Sequence, residues 1–283
     1  MKFLAACFAF MPPAMKPRLR VPFDVFMGFF ERACGACDEF TPPRRLRARF
    51  TSSVSIPDFK AAGRIYLGLF RELCALEPGE AVLEVGSGCG RIAAALTDYI
   101  VLPGRYDGLE ISEPGVEWCR SAITARFPCF NFHFADVFNR HYNPRGRHEA
   151  RNYRFPFPDE AFDFVFLGSV FTHMLPDEVK HYLLEISRVL KRGGRCFATY
   201  FLWNRETSGL CRSGKSDFGF RVDCGLYRTQ NRSVPEVAVC YPENWIMGLY
   251  AEAGLTVKNP PLFGTWRGKP GRFGQDVIIG WKE

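Results

Sequence analysis

No stretch of this chain approaches the roughly 18 consecutive apolar residues of a membrane-spanning helix, so the sequence reads as soluble or at most peripheral to a membrane. No internal period in the range of about 20 to 50 residues recurs, which excludes a repeat array. Cysteine itself is not scarce, at 11 in 283 residues, but close pairs are: only Cys34 and Cys37 stand together. The second Cys or His pair that a structural zinc needs is missing, so no metal site is expected. An odd count with scattered spacing also speaks against a disulfide framework. It fits a reducing, cytoplasmic setting in which most cysteines are small buried residues. Lys2 and the apolar run Phe3 to Met11 have the outline of an export signal, yet no small-x-small cleavage site follows, only Pro12-Pro13-Ala14-Met15; export is not expected.

What is present is a foldable composition, 47% apolar and 24% charged, of a length for one elaborated domain with an arm. The net charge of +7 is unevenly placed. Residues 1–50 hold nine Lys or Arg (Lys2, Lys16, Arg18, Arg20, Arg32, Arg44, Arg45, Arg47, Arg49) against four acids (Asp24, Glu31, Asp38, Glu39), a local excess of +5. The rest is nearly balanced, so no protein-wide nucleic-acid face is indicated. Residues 1–56, irregular in pattern and interrupted by Pro42-Pro43, read as a basic, aromatic arm or lid rather than part of the core. Such an arm suits an anionic partner, a cover over substrate, or plain solvation.

Residues 57–283 read as the folded domain. Apolar residues at helical spacing between Asp58 and Leu76 precede a strand at Ala81 to Val85, and a helix follows from Arg91 to about Tyr99. Strands at Tyr106 to Glu110, Asn131 to Ala135, Ala161 to Gly168 and Arg195 to Leu202 alternate with helices at Pro114 to Phe127 and Pro176 to Lys191. That alternation predicts a mostly parallel, twisted α/β sheet with helices on both faces. The segment 203–241 has no clean period and reads as an insertion over the sheet edge. A helix at Pro242 to Ala253 and strands at Leu255 to Lys258 and Asp276 to Trp281 close the chain.

Glu84-Val85-Gly86-Ser87-Gly88-Cys89-Gly90 follows a strand and opens a helix, the context that makes a glycine pattern informative. Glycines let the chain turn sharply and let a ligand approach the main chain. Position 91 is Arg, so the dinucleotide spacing Gly-x-Gly-x-x-Gly fails and a dehydrogenase is disfavoured. Glu110, at the end of the second strand, is placed to meet two ribose hydroxyls, or to be a solvated strand end.

These residues resemble the class I S-adenosylmethionine-dependent methyltransferases over about Pro57 to Lys258, and within them a bacterial group of small methyltransferases that act on small molecules or glycans. The resemblance implies a Rossmann-like fold with a C-terminal antiparallel strand, and S-adenosyl-L-methionine as cofactor. It places Glu84, Gly86, Ser87, Gly88, Gly90, Glu110, Ile111, Asp136, Val137 and Ser169 around that cofactor. Asp136 matches the acid that meets the adenine amino group, or else caps a turn. Gly168 to Leu175 matches the substrate-side loop, and Arg188 to Gly194 the turn that usually reads Leu-Lys-Pro-Gly-Gly, with Arg192 in the proline's place.

The cofactor carries the difficult chemistry, so the protein must align a nucleophile and, for an oxygen, remove its proton. His173 in the loop after strand four is the first candidate base; it can equally be an orienting or a packed side chain. His141 and Tyr142 are second candidates. The Asn/Asp-Pro-Pro-aromatic motif of base-amine methylation and the paired glutamates of arginine methylation are both absent from the loop after strand four, which holds Gly168-Ser169-Val170-Phe171. The expected acceptor is therefore a hydroxyl or carboxyl oxygen of a small molecule, lipid or glycan, with nucleic acid disfavoured. RNA or another large anionic partner, or non-catalytic cofactor binding, are the alternatives.

Overall fold

The computed structural model describes residues 16–51 and 53–283; the apolar run 3–11 and the prolines that follow lie outside the described residues. Seven strands form the main sheet: β1 (Ala81–Val85), β2 (Arg105–Glu110), β3 (Phe130–Phe134), β4 (Phe162–Leu167), β5 (Leu190–Tyr200), β6 (Leu255–Thr256) and β7 (Asp276–Lys282). Their order is β6-β7-β5-β4-β1-β2-β3. The central pairs are parallel, while β7 runs antiparallel to both β5 and β6. This is the doubly wound, Rossmann-like sheet with an antiparallel C-terminal strand that the alternation and the resemblance predict.

Strand burial follows from helices on both faces. In β1 every residue is buried, and alternate side chains enter opposite layers: Leu83 and Val85 join one core, Val82 the other. The first core takes the apolar stripe of α6 (Pro176–Val189) and α8 (Glu243–Glu252). The second takes α3 (Ile56–Cys74), α4 (Arg91–Leu96) and α5 (Glu113–Cys119), with Phe70 of α3 wedged 4.5 to 5.1 Å from the rings of Phe164, Phe166 and Phe197. Helix α3 starts where Ser55 accepts the Asp58 amide and Pro57 fits the first turn. Its Gly63 is a packing requirement, because a Cβ there would come 2.5 Å from the Arg91 carbonyl oxygen of α4.

Several boundaries differ from the sequence reading, two of them with a clear physical reason. Strand β5 begins at Leu190 rather than Arg195, because the Lys191-to-Gly194 turn is absorbed as an irregularity in the pairing with β4, with Gly193 at φ 76°. The helix read from Pro114 to Phe127 is regular only through Cys119 and then widens into a π-type turn at Arg120–Thr124.

The arm is more ordered than its irregular pattern suggests. It holds α1 (Lys16–Ala33) and α2 (Arg44–Phe50), separated by the Pro42-Pro43 break. Arg47 of α2 is buried; it donates to Glu31 Oε2 at 2.5 Å, Pro42 O at 2.6 Å and Val54 O at 2.9 Å. Arg44 pairs with Asp24 at 3.0 Å and Glu31 at 2.8 Å. Leu46 and Phe50 then pack with Phe59 and Cys89, so α2 is a part of the core and not only an appendage. Charge pairing between residues far apart in sequence leaves no periodic signal, which is why the sequence reading missed it.

In the insertion, α7 (Arg205–Arg212) accompanies a small four-stranded sheet whose outermost pair is Val222–Asp223 and Arg228–Thr229. Phe201, Phe220, Ala238, Cys240 and Trp266 form its own core. Among the described residues no helix is long and apolar enough to cross a membrane.

Candidate functional site

Strand order reverses between β1 and β4, and in open α/β sheets the crevice beyond the carboxyl ends of such strands receives ligands. Here it is a cavity of about 820 Å³ lined by Glu84 to Cys89 from the end of β1 onward, Glu110 and Ile111 at the end of β2, Val137 after β3, and Ser169, Val170 and His173 after β4. Gly86 and Gly88 hold φ of 84° and 57°, conformations that side chains rarely adopt, and a Cβ on Gly86 would come 2.4 Å from Val170 Cγ2. Gly90 also has a positive φ but does not line the cavity. It starts α4, where a Cβ would meet Ile123 Cδ1 at 2.8 Å, so its role is close helix packing rather than ligand contact.

Glu110 is buried, yet each carboxylate oxygen accepts a backbone N–H: Oε2 from Gly88 at 2.6 Å and Oε1 from Ser112 at 2.7 Å. Burial raises its pKa, opposed by those amides and by the charge of Arg49. A carboxylate has about four acceptor positions, so each oxygen keeps capacity for a ligand hydroxyl. Glu84 faces the second core, where the Tyr106 hydroxyl donates to it; burial pushes its pKa up to about 8. The Ser87 hydroxyl is buried with no hydrogen-bond partner. An orphaned donor, a glycine cradle and a carboxylate with spare acceptor positions fit the ribose and amino-acid groups of S-adenosylmethionine.

Asp136 does not fit this picture. Its carboxylate pairs with Arg147 and is absent from the cavity wall, which Ala135, Val137 and Phe138 form instead. The backbone carbonyl of Asp136 accepts from the amides of Arg147 and His148 at 3.0 Å, so the residue secures a turn.

The three candidate acid–base residues do come together. The ring of Tyr142 makes edge contacts with His141 at 4.6 Å and His173 at 5.3 Å, and all three line the cavity. His173 Nδ1 lies 2.8 Å from the Glu236 carbonyl oxygen. A carbonyl only accepts, so Nδ1 carries the proton and Nε2 keeps its lone pair. Burial lowers the imidazole pKa, which keeps the ring neutral at physiological pH. Burial likewise raises the Tyr142 phenol, with Glu110 adding to the effect.

Several wall residues carried no sequence signal. Asn139 ties the two loops: Oδ1 accepts from the His141 amide at 3.0 Å and the Tyr142 amide at 2.9 Å, and Nδ2 donates to the His173 carbonyl at 3.1 Å. An Asn opening a turn was the one available hint. Ser169, by contrast expected at the cofactor from the sequence, sits at φ 63°, held by its amide on Thr199 Oγ1 at 2.8 Å and its hydroxyl on Gln275 Oε1 at 2.9 Å. From the arm, Arg49 donates to the Tyr142 carbonyl, and Phe50 covers the glycine turn. The rest of the wall carries the apolar Met174, Phe201, Phe218, Val237, Trp266 and Phe273 together with the charged Glu178, Asp217 and Arg272.

Residues 83–198 match the sequence profile of a family described as "Methyltransferase domain". A phthiotriol/phenolphthiotriol dimycocerosates methyltransferase of Mycobacterium tuberculosis is 33% identical over 116 residues, covering 41% of this chain and 36% of that protein. A fatty-acid O-methyltransferase of Mycolicibacterium smegmatis is 32% identical over 129 residues, covering 44% of this chain and 36% of that protein. The chain thus spans about a third of the length of these curated relatives. In fold, it is similar to a 1,6-didemethyltoxoflavin-N1-methyltransferase of Burkholderia thailandensis solved with 1,6-didemethyltoxoflavin and S-adenosylhomocysteine. The TM-score is 0.50, over 81% of each chain, at 18% identity.

Proposed function

We propose that this chain, whose residues 83–198 form a class I S-adenosylmethionine-dependent methyltransferase domain, moves a methyl group to an oxygen of an apolar small molecule or lipid, a hydroxyl before a carboxyl. When bound, the cofactor supplies an electrophilic methyl on a sulfonium. The turn from Gly86 to Gly88 and the wall residues Ile111 and Val137 hold it, and Glu110 takes the ribose hydroxyls. His173 Nε2 accepts the acceptor's proton as its oxygen gains the methyl, with Tyr142 packed against the imidazole. The arm residues Arg49 and Phe50 shield the reacting groups from water.

The observation that carries the hydroxyl reading is the Nδ1 contact of His173 with the Glu236 carbonyl, which puts the proton of a neutral imidazole on Nδ1 and makes Nε2 the basic nitrogen. A carboxylate acceptor needs no base. The aromatic and aliphatic residues of the wall support a lipid or other apolar acceptor, and the lipid-related names of the two mycobacterial relatives are consistent with it. The RNA alternative keeps fewer arginines than the sequence count suggests, because Arg44 and Arg47 of the arm are spent on ion pairs with Asp24 and Glu31.

The test is isotopically labelled S-adenosylmethionine with long-chain alcohols, phenols and fatty acids in parallel. Label should appear in hydroxyl-bearing products and depend on His173. Transfer to fatty acids alone, undiminished in His173→Asn, would establish the carboxyl reading instead. Absence of cofactor binding by calorimetry would remove the enzyme reading altogether.

A further inference from the structure

Helix α1 presents two opposite faces. Met27, Asp24 and Glu31 are buried toward α2, whereas Val25, Phe26, Phe29 and Phe30 stand 57%, 54%, 74% and 37% exposed. At about 100° per residue, Pro22, Val25, Phe26, Phe29 and Ala33 fall on a single strip of the helix. So much aromatic surface in water on one face marks a contact site. From the geometry and charge of this strip we infer that α1 docks the protein on an anionic lipid surface, Phe26 and Phe29 entering the headgroup layer.

Charge selects that occupant. The acids of α1, Asp24 and Glu31, are turned inward and neutralised by Arg44 and Arg47, and Asp38 pairs with Lys60. The exposed positions of α1 between Pro22 and Ala33 therefore contain no acid, while Arg32 and, on α2, Arg45 are exposed and make no ion pair among the described residues. Phenylalanines flanked by unpaired arginines are complementary to acyl chains beneath anionic headgroups. A second copy would instead set arginine against arginine. The arm also connects this face to the cavity, because α2 is clamped to α1 through Arg44 and its last residues, Arg49 and Phe50, line the cavity wall. Docking of this kind would put the cavity mouth near a lipid acceptor, yet the inference stands without any acceptor, since it concerns the arm alone.

The test is co-sedimentation of the full chain with phosphatidylcholine vesicles containing about one third phosphatidylglycerol, beside phosphatidylcholine alone. The protein should partition onto the anionic vesicles and come off with salt. The double variant Phe26→Ser/Phe29→Ser should weaken partitioning at least about tenfold, and Arg32→Glu/Arg45→Glu should reduce it on anionic vesicles only. Neither should shift the thermal midpoint or cofactor affinity, since all four side chains are exposed. The inference is overturned if the wild type stays in the supernatant, or if the Phe26/Phe29 variant partitions equally. It is overturned too if that variant melts lower, because the strip is then packed within the protein, or if it turns a dimer into a monomer. Binding to single-stranded RNA without binding to vesicles overturns it in favour of the nucleic-acid alternative. Loss of cofactor binding in a protein that still partitions sinks the methyltransferase reading alone.

Discussion

The ring of Phe50, at the end of α2, lies parallel to that of Tyr142 in the loop after β3, with planes 6° apart and centroids 6.4 Å apart. The same ring covers Gly88, where an added Cβ would sit 3.4 Å away. The arm, the glycine turn and the loop bearing two of the candidate acid–base residues thus meet at one side chain.

Removing that side chain should therefore cost ligand affinity more than fold stability. Arg47 and its partners anchor α2 independently, so Phe50→Ala should stay folded. A ring contact of Phe50 with a bound cofactor would be of the order of an aromatic pair, about 0.5 to 1.5 kcal/mol, so cofactor affinity should fall by up to about tenfold. Calorimetry on the variant checks this; unchanged affinity would mean that the arm does not help to hold the cofactor.

A bulky residue at Gly88 attacks the same place from below. Gly88→Leu places a side chain at φ 57° and against Phe50, and should abolish cofactor binding while the sheet persists by circular dichroism. Retained affinity would remove the basis for placing the cofactor at this turn.

At Glu110 the prediction has two parts, because the carboxylate also holds the Gly88 and Ser112 amides. Glu110→Ala orphans these donors and should cost about 2 to 3 kcal/mol of cofactor binding, since hydrogen bonds to charged groups contribute roughly 1.5 to 3. A 2′-deoxy cofactor analogue should bind more weakly than the cofactor to the wild type but lose little further in the variant. Equal losses in both proteins would show that Glu110 only secures the turn.

How much of this was legible beforehand follows from the kind of signal each residue leaves. The strand–glycine–helix run and Glu110 are local features fixed by backbone geometry, and the mostly parallel sheet follows from alternating elements. Asp136, expected as a cofactor contact, instead pairs with Arg147 here, and its sequence context is the same for either arrangement. Asn139, Gln275 and Phe50 reach the cavity from segments with no periodic pattern, and only tertiary packing brings them there.

Glu84 gives a stability prediction with a definite sign. Its folded pKa of about 8 lies above the ordinary carboxyl value, chiefly through burial, so the fold prefers the neutral form. The stability linked to it is fully present below about pH 4.5 and is lost as pH rises through about 8. Glu84→Gln stays neutral and can still accept from Tyr106. Its thermal midpoint should decline less than that of the wild type across this window; parallel curves would assign the decline to other groups.

The sharpest prediction concerns His173. A positioned imidazole base typically gives a 10²- to 10⁴-fold gain, so His173→Asn should lower turnover on a hydroxyl acceptor by about that factor with cofactor affinity nearly unchanged. Burial depresses the folded pKa below the ordinary histidine value, so the active neutral ring dominates at neutral pH, and wild-type turnover should rise through a pKa below 6.5 and then level. The stability sign is opposite to that of Glu84: the stability linked to His173 is present above the unfolded pKa and is lost as pH falls through the folded one. The variant should therefore lack both the low-pH limb of turnover and this part of the acid destabilisation. Were His173 only a packed side chain, its replacement would lower thermal midpoint, cofactor affinity and turnover together, and Tyr142 would not respond. Tyr142→Phe keeps the ring contact with His173, removes only the hydroxyl, and should retain most activity if the imidazole is the base. A stable His173→Asn protein with full turnover on a hydroxyl acceptor, beside an inactive Tyr142→Phe, would transfer the proton-accepting role to the phenol.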